Sequence, residues 1–353
     1  MVTRSLTAVG SVGALLLLLT ACAPEPVPAP SSPSAAAPTP TVTETVAAPV
    51  LTPTVPFDGD CARTIAATDL DEILGAGWMP REQQLRAWDP ARVIPPALDA
   101  TGTVGGLDCR WFAGEGGLDA SVDALGVVVL PAASAPPTFT ADFSAARCDP
   151  SYDASFCRVV TVDDDLWVMV SAGSALEQPP TGVLSRAAEA VRAAASEGFD
   201  GQAADPQPEW WSLFECDALA EEMTLAEVIG EDFDSGYWEG SEQPEQTMLD
   251  EAGVERTCNW STSAGNMAPD GGYYTVALTM APGAGWNWDA IAGADDADVI
   301  EVDGAEAAVA FAFNPPDAEA VYASDGVNVL KVVGAPRDIV ADLASRALAV
   351  LAG

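Results

Sequence analysis

The sequence predicts an α+β chain in which one unit is built twice: two tandem copies of an antiparallel sheet, each with a short N-terminal helix and a longer C-terminal helix packed on one face. Three observations predict it. A set of unlike residues recurs in fixed order, Cys61-x13-Gly75 then Cys109-Arg110-Trp111, and again Cys216-x13-Gly230 then Cys258-Asn259-Trp260. Runs rich in β-branched residues follow each set, as half-buried strands require. Each copy then closes on apolar residues at helical spacing.

The elements follow in order. Thr224-x-x-Glu227 reads as a capping box, with hydroxyl and carboxylate satisfying the open amides at a helix start, and Thr68-x-x-Asp71 as a weaker version. Gly75 and Gly230 fit the left-handed residue that stops each short helix. An apolar strand at 122–131 matches one at 274–282, each ending in proline. Hairpins turn at Asp163-Asp164-Asp165 and at Asp325-Gly326, into β-branched runs at 166–170 and 327–333. Closing helices are expected at 183–197 and 339–351. Ile339, Leu343, Ala347 and Val350 give the second an apolar face, Pro336 stands where a missing amide costs nothing, and Asp338 favours the positive end of the dipole. These features place the copies at 57–198 and 210–353, joined by a linker at 199–209.

Ahead of the first copy, Arg4 precedes a largely apolar run from Val9 to Leu19, which Leu19-Thr20-Ala21-Cys22 closes. A cation, a short apolar core and small residues mark a secretory signal at 1–21 rather than a membrane span, which must cross about 30 Å of hydrocarbon. Cys22 after Leu-Thr-Ala resembles the lipobox of bacterial lipoproteins. That resemblance implies a diacylglyceryl thioether on Cys22 and cleavage after Ala21. Residues 22–56 then form a Pro/Ala/Thr/Ser tether too poor in apolar side chains to fold, with an extended reach of roughly 100 Å.

With Cys22 set aside for lipid, six cysteines remain for an oxidising compartment. Equivalent positions in a repeat should bond equivalently, which pairs Cys61 with Cys109 and Cys216 with Cys258. Cys148 and Cys157 have no counterparts and are left to pair with each other. In the chain-entropy model the two long loops contribute about 4 kcal/mol each and the short one about 3. A redox role for Cys148 and Cys157 lacks the Cys-x-x-Cys spacing and the nearby cation that lower a thiol pKa.

Composition excludes more than it identifies. The chain has no histidine, which removes Ser-His-Asp and Cys-His catalysis and imidazole metal sites. Its net charge of −39 opposes sequence-independent nucleic-acid binding, which needs phosphates neutralised by lysine and arginine. Lys331 is the sole lysine, so a Ser-Lys dyad has one choice of base, and it lies in an expected strand. Asp163-Asp164-Asp165 and Asp232-x-Asp234-x-Gly236 read as solvated turns, because calcium loops need further ligands at set positions.

The order Cys, leucine-rich short helix, Gly, then Cys-x-Trp before an antiparallel sheet resembles actinobacterial lipoprotein domains of unknown function. These are similar in outline to the extracellular sensor domains of mycobacterial serine/threonine kinases. Residues 61–111 and 216–260 carry the resemblance, which implies disulfide-stapled α+β domains at the cell envelope and supplies no catalytic residues. The two copies depart from the usual single-domain layout.

Tryptophan is the remaining candidate chemistry. Six of the ten lie in the second copy, and Trp238, Trp286 and Trp288 are the candidates to line a groove for a ligand. Trp111 and Trp260 are expected to pack on their neighbouring disulfides. The functional expectation is a membrane-anchored extracytoplasmic lipoprotein, held by diacylglyceryl on Cys22 and acting as a non-enzymatic binding or sensor-like module. Its partner would be an envelope protein or a small apolar or sugar ligand, with no cofactor, metal or nucleic acid. A structural or assembly lipoprotein without a pocket is the alternative, and an envelope hydrolase using carboxylates the third.

Overall fold

The computed structural model describes residues 51–90, 93–151, 154–174, 180–236, 243–263, 268, 270–272, 274–313 and 318–353. The first copy comprises α1 (Ala67–Leu74), β1 (Gly75–Ala76), β2 (Met79–Pro80), α2 (Arg81–Trp88), α3 (Ala100–Thr103), β3 (Leu107–Phe112), β4 (Glu115–Gly116), β5 (Val122–Pro131), α4 (Pro137–Asp142), β6 (Arg147–Ser151), β7 (Ala154–Asp163), β8 (Leu166–Ser174) and α5 (Thr181–Ala195). The second comprises α6 (Cys216–Glu222), α7 (Ala226–Ile229), β9 (Phe233–Ser235), α8 (Pro244–Glu251), β10 (Arg256–Thr262), β11 (Thr275–Ala281), α9 (Trp288–Ala292), β12 (Asp298–Ile300), β13 (Ala307–Phe313), β14 (Ala318–Ser324), β15 (Val329–Ala335) and α10 (Arg337–Leu351).

The fold is α+β, and the two large sheets share one strand order. The first runs β2-β3-β5-β8-β7-β6, the second β9-β10-β11-β15-β14-β13 with β12 added at the edge; β1 and β4 form a separate ribbon. Every pairing is antiparallel. Three disulfides staple the body: Cys61–Cys109, Cys148–Cys157 and Cys216–Cys258. The first and third tie the start of each copy to the strand bearing its buried Trp111 or Trp260.

Helix starts differ from the sequence expectation. α1 begins one residue before Thr68 without a side-chain cap. Thr224 is not an N-cap either: it holds a left-handed φ of 51°, and its hydroxyl meets the Glu227 carboxylate at 3.2 Å. Arg346 of α10 reaches that same pair, so an arginine claims the groups a capping box would use. The helix stops hold. Gly75 and Gly230 have φ of 86° and 100°, and a Cβ on Gly75 would stand 2.4 Å from the Glu115 carbonyl oxygen.

Each sheet has two apolar faces. One face of the first is covered by α5 and α1, through Val183, Leu184, Ala187 and Val191 above Val127, Val168 and Val170. The matching face of the second is covered by α10 and by α6–α7. The other face carries Val128, Leu130, Trp167 and Met169 in the first copy and Val309, Phe311, Ala320 and Tyr322 in the second. Short helices α4 and α9 cover part of it. Ala100 and Val104 add to the cover of the first sheet, and more is exchanged: Met248, Leu249 and Val254 of the second copy lie on the first sheet, and Val93 and Leu98 of the first copy lie on the second. Burying side chains of this size contributes about 1.5–3 kcal/mol each, so the two copies consolidate as one unit.

Two sequence boundaries shift as a result. The tether gives way to fold before Phe57, because Thr54 and Gln202 exchange backbone hydrogen bonds of 2.9 Å and Pro53 and Pro56 are buried. The segment 199–209 is pinned rather than loose. Ala204 is buried and donates its amide to the Thr103 carbonyl, and Glu209 gives its carbonyl to the side-chain amide of buried Asn328.

One ion pair is sealed inside the seam between copies. Arg158 on β7 is 4% exposed and Glu245 on α8 is 9% exposed. The Arg158 Nε donates to Glu245 Oε1 at 3.1 Å and its Nη2 to Gln243 Oε1 at 3.0 Å. Removing one partner of such a pair strands the other charge. Arg158→Ala is therefore expected to lower unfolding stability by about 3–5 kcal/mol in urea titrations, whereas Arg158→Met with Glu245→Leu should recover most of that loss.

Candidate binding site

Two of the three tryptophans that the sequence grouped, Trp286 and Trp288, lie among the described residues. Trp286 stands in the seam: its Nε1 donates to Thr103 Oγ1 at 3.0 Å, and its ring lies so close over Gly102 that an added Cβ would be 2.6 Å away. Trp288 packs beside Ile291 on the second sheet. Both are half-buried, and Trp286 joins the two copies. Trp238 lies outside the described residues, as does Cys22. Trp111 and Trp260 share their clusters with Cys109 and Cys258.

Polar groups in and beside the apolar seam are tightly held. Asn328 uses all its groups: Oδ1 accepts from the amides of Trp211 and Gly283, and Nδ2 donates to Glu209 and Asp325. Lys331 lies over the Tyr322 ring at 5.2 Å, and burial pushes its ammonium pKa down. Tyr322 in turn donates to the Pro96 carbonyl at 2.6 Å. Asp99 caps α3 with a 3.1 Å bond from the Gly102 amide, and burial holds its carboxyl above the ordinary 3.8.

Two adjoining concavities open on the other side of the second sheet, among the described residues. A groove of about 520 Å³ lies between α6, α7 and β9. Ala220, Leu225, Ala226 and Phe233 form its apolar floor, and Asp217, Glu221, Thr224 and Glu227 its rim. Glu227 is engaged by Arg346, which with Thr224 holds its carboxyl below the usual range. A smaller cleft of about 340 Å³ continues from it past Asp217 and Cys216 to Ser235, Gly236, Arg256 and Asn259. Its polar end is built by Arg256, clamped by Asp250 at 2.7 Å and by Glu215 at 2.7 Å.

The carboxylates singled out in the sequence lie apart from one another. Asp163, Asp164 and Asp165 form the β7–β8 turn, exposed, with Asp164 at φ 46°. Asp234 belongs to β9, an edge strand, so Asp232-x-Asp234-x-Gly236 is not a ligand loop. Sequence reasoning missed the groove because its floor is built of ordinary alanine and leucine. The discoverable signal was Asp217 and Glu221, one helical turn apart beside small residues.

No family model matches the chain, and no curated protein matches it. Among solved structures, the di-domain ARO/CYC StfQ from the steffimycin biosynthetic pathway aligns at TM-score 0.13 and 9% identity, over 66% of this chain and 71% of its own. The di-domain ARO/CYC BexL from the BE-7585A biosynthetic pathway aligns at TM-score 0.11 and 9% identity, over 69% and 78%. Likenesses this slight carry no argument about fold or activity.

Asp99 yields a pH test of the seam. Its folded pKa lies above its unfolded one, so its contribution is fully present below the ordinary 3.8 and is lost as pH rises through the raised value. Asp99→Asn keeps the cap and suits the left-handed φ of 55°. Thermal melts should show the variant at least as stable as the parent near pH 7, with any advantage gone near pH 3. A variant weaker at neutral pH would contradict the sign.

Proposed function

We propose that this chain is a lipid-anchored protein of the extracytoplasmic membrane face, acting as a non-enzymatic binding module. The observation that carries this reading is the pairing of two chemistries in one sequence. Leu19-Thr20-Ala21-Cys22 ends a short apolar leader, and the body beyond it holds three disulfides, which persist in oxidising compartments. Among the described residues no helix is long and apolar enough to cross a membrane, so in this reading the attachment is the acyl chain. The tether between Cys22 and the folded body sets its reach.

Binding, rather than chemistry, is supported by the character of the two concavities. They are open and mostly apolar at one end; Glu215, Asp250, Arg256 and Glu227 are tied into ion pairs, while Asp217 and Glu221 stand exposed on the rim. Cys22→Ala is expected to move the protein from the membrane fraction to the soluble extracytoplasmic fraction and to abolish incorporation of labelled fatty acid. Continued sedimentation of the variant with membranes would refute the anchor.

A further inference from the structure

We propose that the groove between α6, α7 and β9 docks a cationic amphipathic segment of another envelope protein, its apolar side chains on the floor and its basic side chains against the rim. The proposal rests on the binding-module reading and specifies its partner.

The two copies supply the comparison that carries it. Cys61 with Cys216 and Gly75 with Gly230 align the two helical segments without a gap. The strands keep that register, since Pro80 faces Trp111 as Ser235 faces Trp260. Under this alignment Ile65, Asp71 and Trp78 of the first copy correspond to Ala220, Ala226 and Phe233 of the second. In the first copy the Trp78 Nε1 donates to Asp71 Oδ1 at 3.0 Å, bridging the β1–β2 turn to α1 at the position of the groove, and Ile65 is fully buried. The second copy has the smaller alanine at two of these positions and a phenylalanine with no donor at the third. The closure is absent there, and an apolar floor of about 520 Å³ stands open.

The rim has diverged in the same place. Ala62 and Ala66 of the first copy correspond to Asp217 and Glu221 of the second. Both carboxylates are exposed, and they stand one turn apart on α6, where like charges repel. Glu221 also lies at the negative end of that helix dipole. A bound cation relieves both costs. Loss of the lid and gain of the charge coincide on one groove, and a chain of net charge −39 favours a basic partner over a neutral or acidic one.

The test uses the full chain and a synthetic amphipathic helix of leucine and lysine, with binding read by fluorescence anisotropy. Binding should saturate and weaken as salt rises. Rebuilding the first copy's closure, Ala226→Asp with Phe233→Trp, should weaken it about tenfold or more, and so should Asp217→Ala with Glu221→Ala. Asp163→Ala with Asp165→Ala removes the same charge from the first copy's hairpin and should leave binding unchanged. Equal weakening by that control pair, or full binding after the closure is rebuilt, overturns the proposal. If the peptide stays unbound while a photo-cross-linker placed at Asp217 captures a single protein neighbour in intact cells, the cationic class is wrong and the binding-module reading stands. If the peptide stays unbound and the cross-linker captures no neighbour, both fall.

Discussion

Everything in this molecule follows from sheets that are apolar on both faces. β8 is buried along almost its whole length, with Val168, Val170 and Ala172 turned to one cluster and Trp167 and Met169 to another. One helical layer covers one face of a sheet. The second face must be covered by something else, because exposed apolar area of that extent drives association. Among the described residues the first copy covers it only with α4 and the Ala100–Val104 stretch around α3, and the second with α9. The remainder comes from the other copy, and a duplicated sequence becomes a single interdependent body.

That exchange explains why a buried ion pair lies in the seam. A charge carried into the seam needs a partner there, and Arg158 finds Glu245 and Gln243 across the boundary between copies. Asn328 fixes the connecting segment to the β14–β15 turn with every donor and acceptor used. Such contacts add little net energy over a hydrophobic replacement, but they penalise any misregistered packing that leaves them unmatched. The seam also consumes Trp286, which sequence reasoning offered to a ligand.

With the seam committed to packing, change between the copies is tolerated on the opposite side, where α6 and α7 cover the second sheet. Both copies use an arginine from the closing helix to hold the short helix: Arg186 reaches Asp69 and Glu72, and Arg346 reaches Glu227. With that restraint in place, the residues between helix and edge strand are free to differ. They differ in size and in charge together, and an open acidic groove is the outcome.

Local chemistry made much of the fold legible. The Cys-x13-Gly and Cys-x-Trp spacings, the β-branched runs, the turns at Asp164 and Gly326 and the helices after Pro336 and before Gly198 reflect interactions within a few residues or equivalences within a repeat. The repeat alone was enough to pair the six cysteines, and the absence of histidine narrowed the chemistry before any geometry was known. What only the tertiary structure decided was which apolar face met which. Val93, Leu98, Met248 and Leu249 have no local signature that assigns them to the other copy's sheet, since burial depends on total packed area and not on neighbours in sequence. For the same reason the sequence carried no more of the groove at Ala220 and Ala226 than the Asp217–Glu221 pair on its rim: a cavity is the absence of atoms from elsewhere in the chain, and no single residue encodes it.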